Sequence, residues 1–297
     1  MRKKLSIVIV TYNSEKDIYD CIRSVFAHND IGEALEVIVV DNCSTDYEHM
    51  RSQLGAMFGD RVTIIQNTDN LGYGQGNNVG IEQSQAPIVA IMNPDVRLIE
   101  PMFAEMIRLL EQDENNLLVG ARQWYAPKVK AHSFHPLYTL PPLKRYVLTK
   151  WFVARDTFLP TQMWLSGAFF FVKKAPFQEI GGFDERIFMY GEEADIQMRL
   201  SARFPEGKIL YHPDVNYLHL AGERVFSGKT FEQQVRSHMY VAEKNGIAPM
   251  LHLRNERRYL QYCLIGTFIR HPFNKTMHHT IEQSLAIVKQ LIHEYHL

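Results

Sequence analysis

The chain has 297 residues, 46% of them hydrophobic and 22% charged, the proportions of a soluble globular protein with a sizeable core. A net charge of −1 excludes a global field that would draw in nucleic acid or an acidic membrane, so any basic patch must be local. Cys21, Cys43 and Cys263 show neither zinc spacing nor a disulfide framework, which fits a reducing cytoplasm, and no stretch reaches the length of a membrane span.

The basic start Arg2-Lys3-Lys4 leads into the apolar run Leu5 to Val10. That run is short for a signal-peptide core and lacks a small-residue cleavage site, so it reads as a strand buried on both faces. Asn13-Ser14 can cap a helix, with Asp17 as the acidic partner of a capping box. Further buried strands are expected at 35–40, 62–65 and 88–92, with helices at about 45–58, 75–84 and 101–112 between and after them. Strand–helix alternation of this kind implies parallel βαβ units.

The stretch of about 124–161 is punctuated by Pro127, Pro136, Pro141, Pro142 and Pro160 and reads as an irregular insertion, either a functional loop or an ordinary elaboration. A strand is expected at 164–173, a helix at 192–203, and short strands at 208–211 and 215–218. From Thr230 the pattern is mostly helical, with stretches at about 230–245 and 279–295 interrupted by His271-Pro272.

In an open α/β sheet, ligands bind outside the carboxyl ends of the strands, and the polar residues gather there. The four strands run into Thr11-Tyr12-Asn13-Ser14, the segment Asp41 to Asp46, the segment Asn67 to Asn78, and Asn93-Pro94-Asp95. Each alone could be capping chemistry, but four at one sheet edge favour a site. Gly72, Gly74 and Gly76 allow close backbone approach to a ligand, yet they follow the third strand and carry no Gly-Lys-Ser/Thr, which argues against a Walker loop or a dinucleotide fingerprint. Asp95, on a proline-fixed turn, could bind a divalent cation or simply close an Asx turn. The cluster Glu192, Glu193 and Asp195 follows a glycine-rich aromatic segment, Ile180 to Glu185. It reads either as acids at a helix N-terminus or as carboxylates at a pocket edge.

The ordered set Ser6 to Asn13, Val39 to Asp46, Asn70-x-Gly72-Tyr73-Gly74-x-x-Asn77, Asn93-Pro94-Asp95, Ser166-Gly167-Ala168 and Gly181 to Glu185 before the acidic cluster resembles family 2 glycosyltransferases of GT-A fold. Within that family it is similar to rhamnosyltransferase-like bacterial members that build surface polysaccharides such as O antigen. The resemblance covers about residues 5–225. It implies an α/β, Rossmann-like, mostly parallel central sheet with flanking helices, plus a helical C-terminal extension. The glycosyltransferase domain would span 1–228, with a donor half of about 1–123 and an acceptor half of about 162–228, and residues 229–297 would be helical.

The resemblance also implies an inverting transfer from a nucleotide-diphosphate sugar, with dTDP-rhamnose as the leading donor and UDP-galactose or UDP-glucose as alternatives. The acceptor would be a saccharide or a lipid-linked saccharide. Thr11, Tyr12 and Asn13 match the segment that meets the nucleotide, Asp41 the acid at the nucleobase, and Asn70, Gly72, Gly76 and Asn77 the neighbouring loop. Asn93 and Asp95 stand where relatives carry Asp-x-Asp, and Asp95 with His219 would hold Mg²⁺ or Mn²⁺. Glu193 takes the place of the catalytic base, with Glu192 orienting and Asp195 as a rival. Glu193 departs from the more common Asp by one methylene. Trp164, Ser166 and Gly167, with Asp195, match the acceptor side. Arg224 and Lys229 could neutralise phosphate or be solvated surface.

A catalytically silent nucleotide- or saccharide-binding subunit on the same fold is the competing class, and the intact metal and base candidates argue against it. A nucleotidyltransferase would need a basic, glycine-rich phosphate loop near the N-terminus, and none is present. Leu251, Leu253, Leu260, Tyr262, Leu264, Ile265, Phe268 and Ile269, interleaved with Arg254, Arg257, Arg258 and Arg270, suggest peripheral contact with the inner face of the membrane. Packing on the catalytic domain or a homo-oligomer interface explains that pattern equally well.

Overall fold

The computed structural model describes residues 2–220 and 226–295. Its first elements are β1 (Leu5–Thr11), α1 (Glu15–Ala27), β2 (Leu35–Asp41), α2 (Tyr47–Phe58), β3 (Val62–Gln66), α3 (Tyr73–Gln83), β4 (Ile88–Met92), β5 (Val96–Leu98) and α4 (Phe103–Glu111). The middle contains β6 (Asn116–Ala126), β7 (Val129–Lys130), β8 (Phe134–Pro136), α5 (Pro142–Val147), β9 (Met163–Leu165), β10 (Phe169–Lys173), α6 (Lys174–Glu179), α7 (Glu192–Arg203) and β11 (Lys208–His219). Three long helices follow: α8 (Gly228–Lys244), α9 (Pro249–Arg270) and α10 (Lys275–Glu294).

The chain divides into two compact units. The first runs to Ser133 and takes in Leu165–Phe188 and the chain from Glu192 through β11. Its sheet has nine strands, in the order β3-β2-β1-β4-β10-β6-β11-β5, with β7 beside β6. Strands β3, β2, β1, β4, β6 and β11 run one way, while β10, β5 and β7 run the other. All seven residues of β1 are buried, as the continuous apolar run requires of a central strand covered on both faces. Helix α1 contributes Ile18, Cys21, Ile22 and Val25 to the core on one side, at helical spacing.

Four local expectations are corrected. Ser14 stands at the N-cap of α1 but makes no side-chain cap bond; its hydroxyl donates to the Tyr12 carbonyl instead, so no capping box forms. The expected strand at 164–173 is broken at residues 166–168 into β9 and β10. The two short strands at 208–218 are one, β11, which absorbs Pro213 and Asp214 in a register shift between His212 and Asn216. The irregular segment conceals order: β6 extends to Ala126, and Pro142 opens α5, where a missing N–H costs nothing. The apolar run Leu117-Leu118-Val119 was the available signal for β6.

The second unit comprises Phe134–Trp164, Met189–Gly191 and the C-terminal helices. Val235 and Met239 of α8, Leu253 and Leu260 of α9, and Leu285, Val288 and Leu291 of α10 form its apolar core. Beside this core, Arg145 pairs with buried Glu256 and stacks its guanidinium 3.9 Å from the Tyr259 ring centroid. That pair meets the condition for a buried charge, a partner of opposite sign. No helix among the described residues is long and apolar enough to cross a membrane.

Candidate active site

The carboxyl ends of β1, β2 and β3 are joined by side-chain bonds. Asp41, fully buried at the end of β2, accepts from Thr11 Oγ1 at 3.0 Å, from the Ser44 amide at 2.8 Å and from the Ser44 hydroxyl. Asn13 donates its amide to Ser44 Oγ and accepts from the Thr45 amide through its side chain. Asn42 bridges onward, donating to the Gly72 carbonyl at 2.9 Å and accepting from Asn67 Nδ2 at 2.8 Å; Asn70 in turn accepts the Gly72 amide. Tyr12 remains exposed at this edge. A cleft of about 410 Å³ opens beside it, lined by Asn13, Ser14, Lys16, Ser44, Thr45 and Asp46 among others. That is within the size range of small-ligand pockets.

Packing accounts for one of the glycines after β3. Residues 73–83 are helix α3, and a Cβ on Gly76 would come within 2.8 Å of Val10 Cγ1 and 3.0 Å of Asn42 Oδ1. Gly76 therefore lets the helix approach the sheet closely. Asn77 is fully buried and donates to the Tyr73 carbonyl.

Tyr73, at the start of α3, is central. Its hydroxyl donates to the Gly167 carbonyl at 2.8 Å. Burial pushes that hydroxyl well above its ordinary pKa, and the charges of Glu193, Glu192 and Asp95 add to the effect. All three acids are thus close enough to act on one phenol, although they come from α7 and from the turn after β4. An aromatic residue opening a helix between two glycines was the available clue.

Glu192 and Glu193 form the first turn of α7, where acids complement the helix dipole. The position does more than cap. Glu193 lies over the Ser166-Gly167-Ala168 break, so that a Cβ on Gly167 would meet Glu193 Oε1 at 2.1 Å and Cγ at 2.3 Å. Only glycine leaves the carboxylate that seat. The same break is pinned by the Asn93 amide donating to the Ala168 carbonyl and the Ser166 amide donating to the Ser133 carbonyl. Glu192 is buried, and its Oε2 has no hydrogen-bond partner. Burial, and then the adjacent charge of Glu193, hold its carboxyl well above the usual range. Asp195 is buried too, but Arg199 neutralises it at 2.7 Å and also donates to the carbonyls of Ile180 and Gly182. The structure thus uses Asp195 to clamp the glycine turn before α7.

Asp95 sits on a braced turn: its carbonyl accepts the Leu220 amide, and Arg97 donates to the Pro94 carbonyl. His219, at the end of β11, places Nε2 3.1 Å from Asp95 Oδ1 but out of line for a hydrogen bond, and both its ring nitrogens are buried without a hydrogen-bond partner. A carboxylate beside unpaired imidazole nitrogens is a donor set that suits Mg²⁺ or Mn²⁺. No group of three His, Cys, Asp or Glu side chains able to hold a metal occurs among the described residues. Trp164 belongs to the second unit, where its ring lies 4.9 Å from that of His135 and its Nε1 is buried without a partner. Lys229 is exposed at the start of α8, and Arg224 lies outside the described residues.

Comparison with known proteins gives four findings. Residues 6–181 match the family model described as glycosyl transferase family 2. The poly(ribitol-phosphate) beta-N-acetylglucosaminyltransferase TarS of Staphylococcus aureus is 22% identical over 290 residues, 90% of this chain and 49% of TarS, so the chain spans about half the length of that relative. The N-acetylglucosaminyl-diphospho-decaprenol L-rhamnosyltransferase of Mycobacterium tuberculosis is 26% identical over 247 residues, 71% of this chain and 77% of the relative. Among solved structures, the mannosyltransferase PcManGT from Pyrobaculum calidifontis, in complex with GDP-Man and Mn²⁺, superposes with a TM-score of 0.68 at 16% identity, covering 98% of this chain and 87% of its own. That likeness establishes the GT-A fold.

Proposed function

The chain belongs to glycosyl transferase family 2, and we propose that it is an inverting, metal-dependent sugar transferase of bacterial glycan synthesis that uses Glu193 as its base. The observation that carries this reading is the seat of Glu193 on Gly167, beside the Tyr73 hydroxyl that donates to the Gly167 carbonyl. The donor end is assigned to residues 11–13, 41, 70–77 and 93–95, and the acceptor side to Ser166 and Gly167.

In this mechanism the nucleotide lies along the β1 and β2 ends, with Thr11, Tyr12 and Asn13 in contact and Asp41 holding the Ser44 turn against them. Asp95 and His219 would hold a divalent cation, which when bound supplies Lewis-acid stabilisation of charge on the departing nucleoside diphosphate. Glu193, half-buried beside Gly167, removes the proton of an acceptor hydroxyl. That oxygen attacks the anomeric carbon on the face opposite the diphosphate. The new C–O bond forms as the bond to the diphosphate breaks, and configuration inverts. Glu192, whose raised pKa favours the neutral acid, orients the neighbouring carboxylate or the acceptor through its O–H.

The rhamnosyltransferase relative supports a deoxyhexose donor such as dTDP-rhamnose, with a lipid-linked saccharide as acceptor. TarS, whose solved structure holds UDP-GlcNAc, supports a second reading, a UDP-linked hexose or N-acetylhexosamine donor. The test is a donor panel with Mn²⁺ in which release of nucleoside diphosphate is followed. Turnover with dTDP-rhamnose selects the first reading and turnover with a UDP-sugar the second. Tight donor binding without release, with any acceptor, would overturn both in favour of a silent binding subunit.

A further inference from the structure

The C-terminal helices carry an apolar surface that their own core does not use. The sequence suggests an amphipathic helix lying flat along residues 251–270, and the structure changes that picture. Leu253 and Leu260 are buried in the core of the second unit, and Leu264 packs against it. The apolar side chains left exposed gather at one end, where α9 stops and α10 begins. Ile265, Phe268 and Ile269 protrude from the last turns of α9, Phe273 from the connection, and Met277 from the first turn of α10. Ile269 is 76% exposed and Phe273 is 92% exposed. Scattered surface apolar residues need no explanation, but five on one helical hairpin tip form a patch. The tip is a built feature: Asn274 caps α10 by accepting the Met277 amide, and the Phe268 ring lies 3.9 Å from that of His278.

Charge decides among occupants. From Arg257 to Ile281 the chain contains Arg257, Arg258, Arg270 and Lys275 and no acid. Arg270 and Lys275, both exposed, flank Phe273. A second copy of this chain, meeting the tip symmetrically, would bring like charges together over the apolar contact. An anionic bilayer surface instead takes both features at once: phosphates for the cations and the acyl boundary for the apolar tip.

We propose that the α9–α10 tip is a membrane anchor that docks end-on into acidic phospholipid, Ile269 and Phe273 entering the interface while Arg270 and Lys275 bind headgroups. This inference is independent of the sugar and the acceptor. It is tested by co-sedimentation of the full chain with phosphatidylcholine vesicles, with and without phosphatidylglycerol. Binding is expected to the phosphatidylglycerol vesicles only, and to weaken as salt is raised. An I269D/F273D double variant should lose at least about tenfold in binding, and R270E/K275E a comparable amount, with no shift in thermal melting because all four residues are exposed. Variant F273W should become quenchable by lipids brominated near the headgroup end of the chain. Absence of vesicle binding at low salt, full binding by I269D/F273D, or no quenching of F273W would overturn the proposal. So would a dimer that I269D/F273D converts to monomer, which would make the tip a self-association surface.

Discussion

Two parts of the first unit, both built at strand ends, are held in opposite ways. At the ends of β1, β2 and β3, the polar side chains mainly satisfy one another: Asp41 bonds Thr11 and Ser44, and Asn42 bonds Asn67 and Gly72. At Asn93, Glu192 and His219, buried polar atoms remain without hydrogen-bond partners. A saturated network rigidifies, whereas an unsatisfied buried group costs stability and persists where something else is meant to meet it. The first region reads as a scaffold that shapes a cleft, and the second as the place where charge is moved.

The contrast can be broken by substitution. The largest effect is expected for Glu193→Gln, which should lower turnover by about 10² to 10⁴ while leaving donor affinity unchanged; calorimetric donor titration beside a nucleotide-release assay checks both, and near-normal turnover would remove Glu193 as base. Gly167→Ala comes next. The new Cβ would occupy the seat of the Glu193 side chain, and displacing a catalytic group by about an ångström is expected to cost about 10² in kcat with little change in donor affinity. Asp95→Ala should weaken Mn²⁺-dependent donor binding by at least about tenfold, and an unchanged metal titration would separate Asp95 from the cation.

On the scaffold side, Asp41→Ala should lower unfolding stability by about 1–3 kcal/mol in denaturant titration, because it strands Thr11 and Ser44 donors. Loss of turnover without loss of stability would erase the distinction between the regions. The smallest effect concerns Glu192→Gln. A carboxyl held above its ordinary range contributes stability that is complete below the unfolded pKa, about 4.3, and is lost as pH rises through the folded value. The glutamine variant should therefore gain on the wild type in Tm between pH 5 and 8, by about 2–4 °C. A variant that loses ground as pH rises would contradict a raised Glu192.

How much of this was legible beforehand differs by element. The β1 run, the strands at 35–40 and 88–92, and the helix that begins with Glu192 follow from apolar periodicity and acidic N-terminal residues, which act within a few residues of chain. Strand β6 was hidden behind the proline-rich aromatic stretch that follows it, and the break at 166–168 was hidden within an apolar run. Gly76 could not be read correctly, because its neighbours Val10 and Asn42 are brought to it only by the packing of α3 on the sheet.

The sequence alone determined the class of fold, the order of the strand-end motifs and the residue types available for chemistry, since these depend on local pattern and on motifs in a fixed order. The tertiary structure decided which acids are available. Arg199, one helical turn on, claims Asp195; Gly167, distant in sequence, gives Glu193 its seat; and burial, with the charge of Glu193 beside it, holds the Glu192 carboxyl above its ordinary range. Likewise, only the packing of three helices decided which apolar residues of α9 face a core and which are left at its tip. Desolvation and close contact are properties of the assembled neighbourhood, and those neighbours meet only after the chain has folded.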